Sequence, residues 1–417
     1  MFENIFEFTH KSGLKVIFVP KPGFNERYAM FTTKYGSIDS TLESVKTGEI
    51  LDVPLGIAHF LEHKLFEQED GDVMEIYAKM GVRPNAFTSN TQTSYLFSCA
   101  NNFNKSLELL LKYVQNPYFT EESVEKEKGI IEQEINMYLD NPSSMVYSNL
   151  MRGLYVNHSV RHEIIGSVES IGAITPDTLY MLYNTFYTPK NMVLVVVGDE
   201  EPSTIESIVN NSILDEWVGR EPAGFTAITK DEPDVICEKS IRCEMDVSLP
   251  IFMMGYKDNE LLCDPVASSK KNLELKFLQE ILFGESSFFY DKLYSEGLIN
   301  DTFFNFYELE RSFAFSAFGG ESREPERVVE RIEQCIYDAK RGDVSESDFK
   351  RVKKAAYGEF VRRFNSVEGV CRLYTNGYLA DISVVDYFTL YDKINLDGVL
   401  SQLKVFDESM KSMSVVM

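Results

Sequence analysis

The segment "GIAHFLEHKLFE", Gly56 to Glu67, restricts what this chain can fold into more than any other. Leu55, Ile57, Ala58, Phe60, Leu61, Leu65 and Phe66 make it apolar almost all round, which predicts a buried helix. Yet it also carries His59, Glu62 and His63. An unpartnered polar or charged group in an apolar setting costs on the order of several kcal/mol, so all three need partners. An α-helix advances about 100° per residue, which puts His63 about 40° from His59, one turn along, and Glu62 about 60° to the other side. Both imidazoles can therefore reach one ion, with the carboxylate beside it. The alternative is a pair of core histidines bonded to carbonyls, with Glu62 capping a backbone group.

A chain of 417 residues exceeds one ordinary core and fits two or three domains. Its composition, 44% hydrophobic and 13% aromatic, is that of a folded chain and not of a disordered one. Apolar runs such as "MVLVVV", Met192–Val197, are strand-length and far below a membrane span. The N-terminus shows no basic region followed by an apolar one, so neither a signal nor a transit peptide is expected. Six cysteines stand at 99, 237, 243, 263, 335 and 371 without a CxxC, which argues against both a disulfide framework and a Cys-rich zinc site. Cytoplasmic residence is the expectation. With 41 basic against 65 acidic residues the net charge is −24, which argues against a nucleic-acid groove. Acidic residues lining a site would favour cationic partners; otherwise they form a solvated surface.

Residues 14–20 and 27–36 read as strands, and a helix follows at 55–66. "GDVMEIYAKMG" is a second helix closed by Gly81, and "RPNAFTS" and "TSYLFSCA" form a strand pair. "FNKSLELLLKYVQNP" has helical periodicity. "FTEESVEKEKGIIEQEINMYLDNP" carries a Thr120 cap, a Phe119/Val124 staple and an Asn141-Pro142 stop. Strands and helices without strict alternation predict an α+β fold. A weak repeat is visible too. "TSYLFSCA" from Thr93 resembles "RSFAFSAF" from Arg311, and the same offset lays the two histidines over "FLQEI", Phe277–Ile281, where neither survives. Two homologous α+β domains are expected, each an antiparallel-rich sheet with packed helices. Residues 1–221 form the ligand-bearing domain, 222–231 the linker and 232–417 the domain without ligands.

A catalytic zinc usually takes three protein ligands and a water. Of the five histidines, His158 and His162 in "HSVRH" have metal-like spacing but read as a surface loop. Glu127 and Glu134, seven apart, share one face of the helix "VEKEKGIIEQEI"; the alternative there is a solvated charged face. The order H-x-x-E-H is the inverted form of the H-E-x-x-H zinc motif.

These stretches, with "NAFTS…TSYLFS" and "FYTPKNMVLVVVGD" in the same order, resemble the pitrilysin, insulin-degrading enzyme and mitochondrial processing peptidase family, in a two-domain bacterial form. The resemblance covers the first half and, more weakly, the second. It implies a zinc metalloendopeptidase with His59, His63 and Glu134 as ligands. Glu62 would be the general base, and Glu127 the carboxylate supporting the ligands. It also implies that an unfolded peptide adds as a strand along Asn85, Ala86, Phe87 and Thr88.

Two-domain members of that family pair as a clamshell, and the half without zinc often supplies an arginine and a tyrosine. At those positions stand Leu293 and Asn300, with Tyr294 and Arg311 nearby. A heterodimer with a homologous subunit that carries the Arg/Tyr pair is therefore expected. Two rival readings remain: a non-catalytic subunit of such a pair, and a metal-dependent hydrolase acting on something other than peptides.

Overall fold

The computed structural model describes residues 5–342 and 344–417. The first four residues, on which the leader reading partly rests, lie outside it. The chain divides into two compact units. One comprises residues 1–135, 163–229 and 361–384, and the other 136–162, 230–360 and 385–417. One break follows Thr229, and two segments, 136–162 and 361–384, group with the opposite half of the sequence, unlike the expected division at a single linker. Their packing explains this. The helix Pro142–Leu154 places Leu150 and Leu154 against Gly255 of the second sheet. The helix Val367–Leu379 lies on the first sheet, where the Cys371 thiol donates to the Val195 carbonyl at 3.5 Å.

The fold is α+β. In the first unit six strands run in the order Phe6–Thr9, Lys15–Pro20, Met192–Gly198, Arg27–Thr33, Thr93–Cys99, Arg83–Thr88. All pairings are antiparallel except that of Lys15–Pro20 with Met192–Gly198. The central Met192–Gly198 strand is buried along its whole length, as its continuous apolar run requires. Side-chain alternation gives the sheet two working faces. Phe31, Tyr95, Phe97, Leu194 and Val196 join Phe60, Leu61 and Leu65 of the helix Ile57–Phe66 in one core. The opposite face receives the helix Val367–Leu379.

The second unit repeats the plan with five strands: Ser240–Cys243, Lys411–Val416, Ile251–Lys257, Ala314–Glu321, Phe304–Leu309. Again a single pair is parallel, here the outermost one, Ser240–Cys243 with Lys411–Val416. The segment Phe277–Ile281 lies within the helix Pro265–Phe283. Arg83–Thr88 is an edge strand, bonded only to Thr93–Cys99 among the described residues. No helix of the described residues is long and apolar enough to cross a membrane.

Candidate metal centre

The helix Ile57–Phe66 is buried at every position except His59 and His63. His59 and His63 are thus the two partly exposed positions of an otherwise buried helix. Gly56 launches the helix at φ 87°, where a side chain would be strained, and any Cβ there would lie 2.3 Å from the Ile165 carbonyl. Lys64, fully buried, ion-pairs with Glu67 and donates to the Ser123 carbonyl at 3.3 Å. That contact ties this helix to the start of the helix Glu121–Leu139, whose first turn is capped by Thr120 accepting from the Ser123 N–H. Each of these two helices brings part of the site.

His59 Nε2 and His63 Nε2 each lie 3.7 Å from an oxygen of Glu134. The rings sit 4.5 Å apart between centroids. One ligand atom from each of His59, His63 and Glu134 falls within 4.8 Å of the others, the one such group among the described residues. His63 Nδ1 is 2.9 Å from Glu127 Oε1, so that carboxylate fixes the ring's orientation and leaves Nε2 facing Glu134. Two nitrogens and one carboxylate oxygen, with a carboxylate behind one ring, make a donor set that fits Zn²⁺.

The protonation state of His59 favours the same use. Burial, with His63 adding to it, pushes His59 down to about 3, so its ring is neutral and can offer a lone pair. Burial opposes protonation of His63 as well, but the bond to Glu127 and the charges of Glu127, Glu62 and Glu134 raise it overall. Glu62 is buried and is raised by burial, against the Thr88 hydrogen bonds and the charge of His63. The Thr88 hydroxyl donates to Glu62 Oε2 at 2.6 Å. Glu62 stands outside the ligand trio and is anchored to the end of the edge strand.

Asn85, Ala86, Phe87 and Thr88 all lie on that edge, pairing with Leu96, Tyr95, Ser94 and Thr93. The site thus gathers the two histidines, Glu62, Glu127, Glu134 and Thr88 in one unit. His158 and His162 are not part of it. His158 is buried, which corrects the surface reading: its Nδ1 accepts from the Val160 N–H at 3.0 Å and its Nε2 lies 3.0 Å from Ser312 Oγ. It caps a short 3₁₀ turn and packs between the rings of Tyr155 and Phe313. Lys64 was not singled out from the sequence. A lysine inside an apolar helix was the signal available.

Comparison with known proteins agrees with this geometry. Residues 44–168 match the family model "Insulinase (Peptidase family M16)", and residues 173–356 match "Peptidase M16 inactive domain". The uncharacterized zinc protease YmfH of Bacillus subtilis is 40% identical over 402 residues, 95% of this chain and 92% of its own. This chain belongs to peptidase family M16. It is the two-domain bacterial type, the pitrilysin-like family that the motif order resembles. The crystal structure of an M16-like peptidase from Alicyclobacillus acidocaldarius superimposes with a TM-score of 0.95 at 30% identity, over 99% of this M16 chain and 98% of that one. A protease from Helicobacter pylori shares the fold at a TM-score of 0.85 and 20% identity, over 99% of both chains. The model matched by the second half is described as inactive, consistent with the loss of both histidines at Phe277–Ile281.

Proposed function

We propose that this chain is a zinc-dependent endopeptidase that hydrolyses unfolded peptides, working in a pair with a related subunit. The observation that carries the reading is the division of labour at one site. His59, His63 and Glu134 converge, while Glu62 stays apart, held by the edge strand. His59, His63 and Glu134 would hold the ion, with Glu127 orienting His63. Bound there, zinc supplies Lewis acidity to the scissile carbonyl and to a water whose pKa falls to about 7.

The chain's own residues do the rest. The free side of Arg83–Thr88 accepts an extended peptide as an added strand, its unpaired backbone groups fixing the register. Glu62 takes a proton from the attacking water and returns it to the leaving amine, a role suited to a carboxyl that burial raises above its ordinary value. A cytoplasmic setting is part of the proposal, on the scattered cysteine spacing of the sequence.

The paired arrangement is supported by the second unit. Leu293 is buried, and Asn300 donates to Glu321 at 3.0 Å while accepting from Thr302, so neither side chain is available to clamp a substrate. A purely non-catalytic subunit is disfavoured because every ligand and the base are present. The deciding experiment is zinc content by elemental analysis, with turnover of unstructured peptides measured with and without a chelator. Stoichiometric zinc and chelator-sensitive turnover are expected; a metal-free chain that still cleaves would overturn the reading.

A further inference from the structure

Beneath Glu62 lies a layer of hydroxyls. Thr93, fully buried, donates to the Tyr35 carbonyl at 2.9 Å, and its oxygen lies 3.4 Å from that of Thr88. The Tyr187 hydroxyl is 2.9 Å from that of Tyr95. Tyr35, Tyr95 and Tyr187 are all fully buried. The proton arithmetic of this layer is restrictive. A hydroxyl has one proton. That of Thr93 is spent on the Tyr35 carbonyl, so Thr93 cannot donate to Thr88. Thr88 in turn directs its own proton to Glu62 Oε2, at the 2.6 Å of a charge-assisted bond.

We propose that Thr88 is a positioning residue for Glu62. Its hydroxyl holds Oε2 and so fixes the plane of the carboxyl, leaving Oε1 to exchange protons with water and leaving amine. The inference rests on the reading of Glu62 as base. It adds that the residue ending the edge strand, which an incoming peptide would extend, also sets the base. Thr88 pairs directly with Thr93 across the hairpin, so its hydroxyl position is fixed by sheet register as well as by side-chain rotamer. An unanchored buried carboxyl would rotate about its last bond and present the wrong oxygen. A terminal sp³–sp² torsion of that kind is broad and roughly two-fold.

Thr88→Val keeps the shape and the Thr88 backbone contact to Glu62 and removes only the hydroxyl donor to Oε2, while Thr88→Ser restores that hydroxyl. Two readouts on the zinc-loaded full chain, with its partner subunit where turnover requires one, test the proposal. The first is infrared spectroscopy, the Glu62 carboxylate band being assigned by its loss in Glu62→Gln. The band should shift in Thr88→Val and stay in place in Thr88→Ser, with zinc content unchanged in both. The second is steady-state kinetics. Thr88→Val should lower kcat 10- to 100-fold with KM within about two-fold of the native value, and Thr88→Ser should recover most of it. An unmoved carboxylate band, or a Thr88→Val loss confined to KM, would overturn the proposal. The infrared arm decides even where no peptide is turned over, an outcome that would count against the peptidase reading instead. A Thr88→Val chain that loses zinc would make Thr88 a support of the fold, and would also overturn it.

Discussion

His63 faces two ways, and its two nitrogens have separate fates. Nδ1 is committed to Glu127, which leaves Nε2 with a lone pair aimed at the space shared with His59 and Glu134. Removing that support without removing a ligand should weaken metal binding and spare the fold. Glu127→Ala is expected to lower zinc affinity 10- to 100-fold, as loss of such outer partners generally does, measured by competition with a chromophoric chelator. Glu62→Gln should behave in the opposite way. The amide preserves the volume and can still accept from Thr88, but it cannot take a proton. Zinc content and peptide binding should be retained, and kcat should fall by roughly 10²- to 10⁴-fold. Native-like kcat in that variant would remove Glu62 from the chemistry. His59, Glu62 and His63 are conspicuous in the sequence as polar groups in an apolar helix, whereas Glu127 and Glu134, on a charged helix, stand out only through the family resemblance. The Thr88–Glu62 bond was not legible there, since it depends on which face of a strand meets which turn of a helix.

At the scale of elements, helix and strand identities followed from periodicity and caps. Asp72 caps the helix Val73–Met80, Gly81 closes it at φ 69°, and Asn141 ends one helix by capping the next. What periodicity could not reveal is the exchange of the segments 136–162 and 361–384 between units, which is a matter of long-range packing. Edge strands make a further prediction possible. Glu308 lies on Phe304–Leu309, the edge of the second sheet, and burial with the nearby Glu310 pushes its carboxyl up to about 7 against the pull of Lys276. In the unfolded chain a glutamate titrates near 4.3. Between these values the folded state binds a proton that the unfolded state lacks. The contribution to stability is thus complete below about pH 4 and is lost as pH rises through 7. Glu308→Gln removes this loss. Urea unfolding should show the variant more stable than the native chain by about 1–3 kcal/mol at pH 8 and equal to it near pH 4. Equal midpoints at pH 8 would mean that the native carboxylate is already solvated.

At the scale of the whole molecule, the two units are similar sheets with unequal chemistry. One holds every polar group of the metal centre; the other has Leu293 in its core and Asn300 engaged with Glu321 and Thr302. On the proposed function a peptide carbonyl at the first unit would meet a metal and a base, while Leu293 and Asn300 stand where the family resemblance leads one to expect an arginine and a tyrosine. Tyr294 is half-exposed on the same helix as Leu293 and is the closest substitute in sequence. It offers a hydroxyl but no charge. A pair of identical chains would repeat this deficit, whereas a related subunit that keeps Arg and Tyr but lacks H-x-x-E-H would remedy it. The purified chain alone should therefore cleave unfolded peptides weakly, and addition of such a subunit should raise kcat/KM by at least 10-fold. Restoring the missing groups in this chain gives a second arm. Leu293→Arg alone would bury a charge, so the double variant Leu293→Arg/Asn300→Tyr should recover little, owing to the cost of taking an unpaired guanidinium into an apolar core. Full activity of the native chain without any partner would show that the second unit completes the site by other residues.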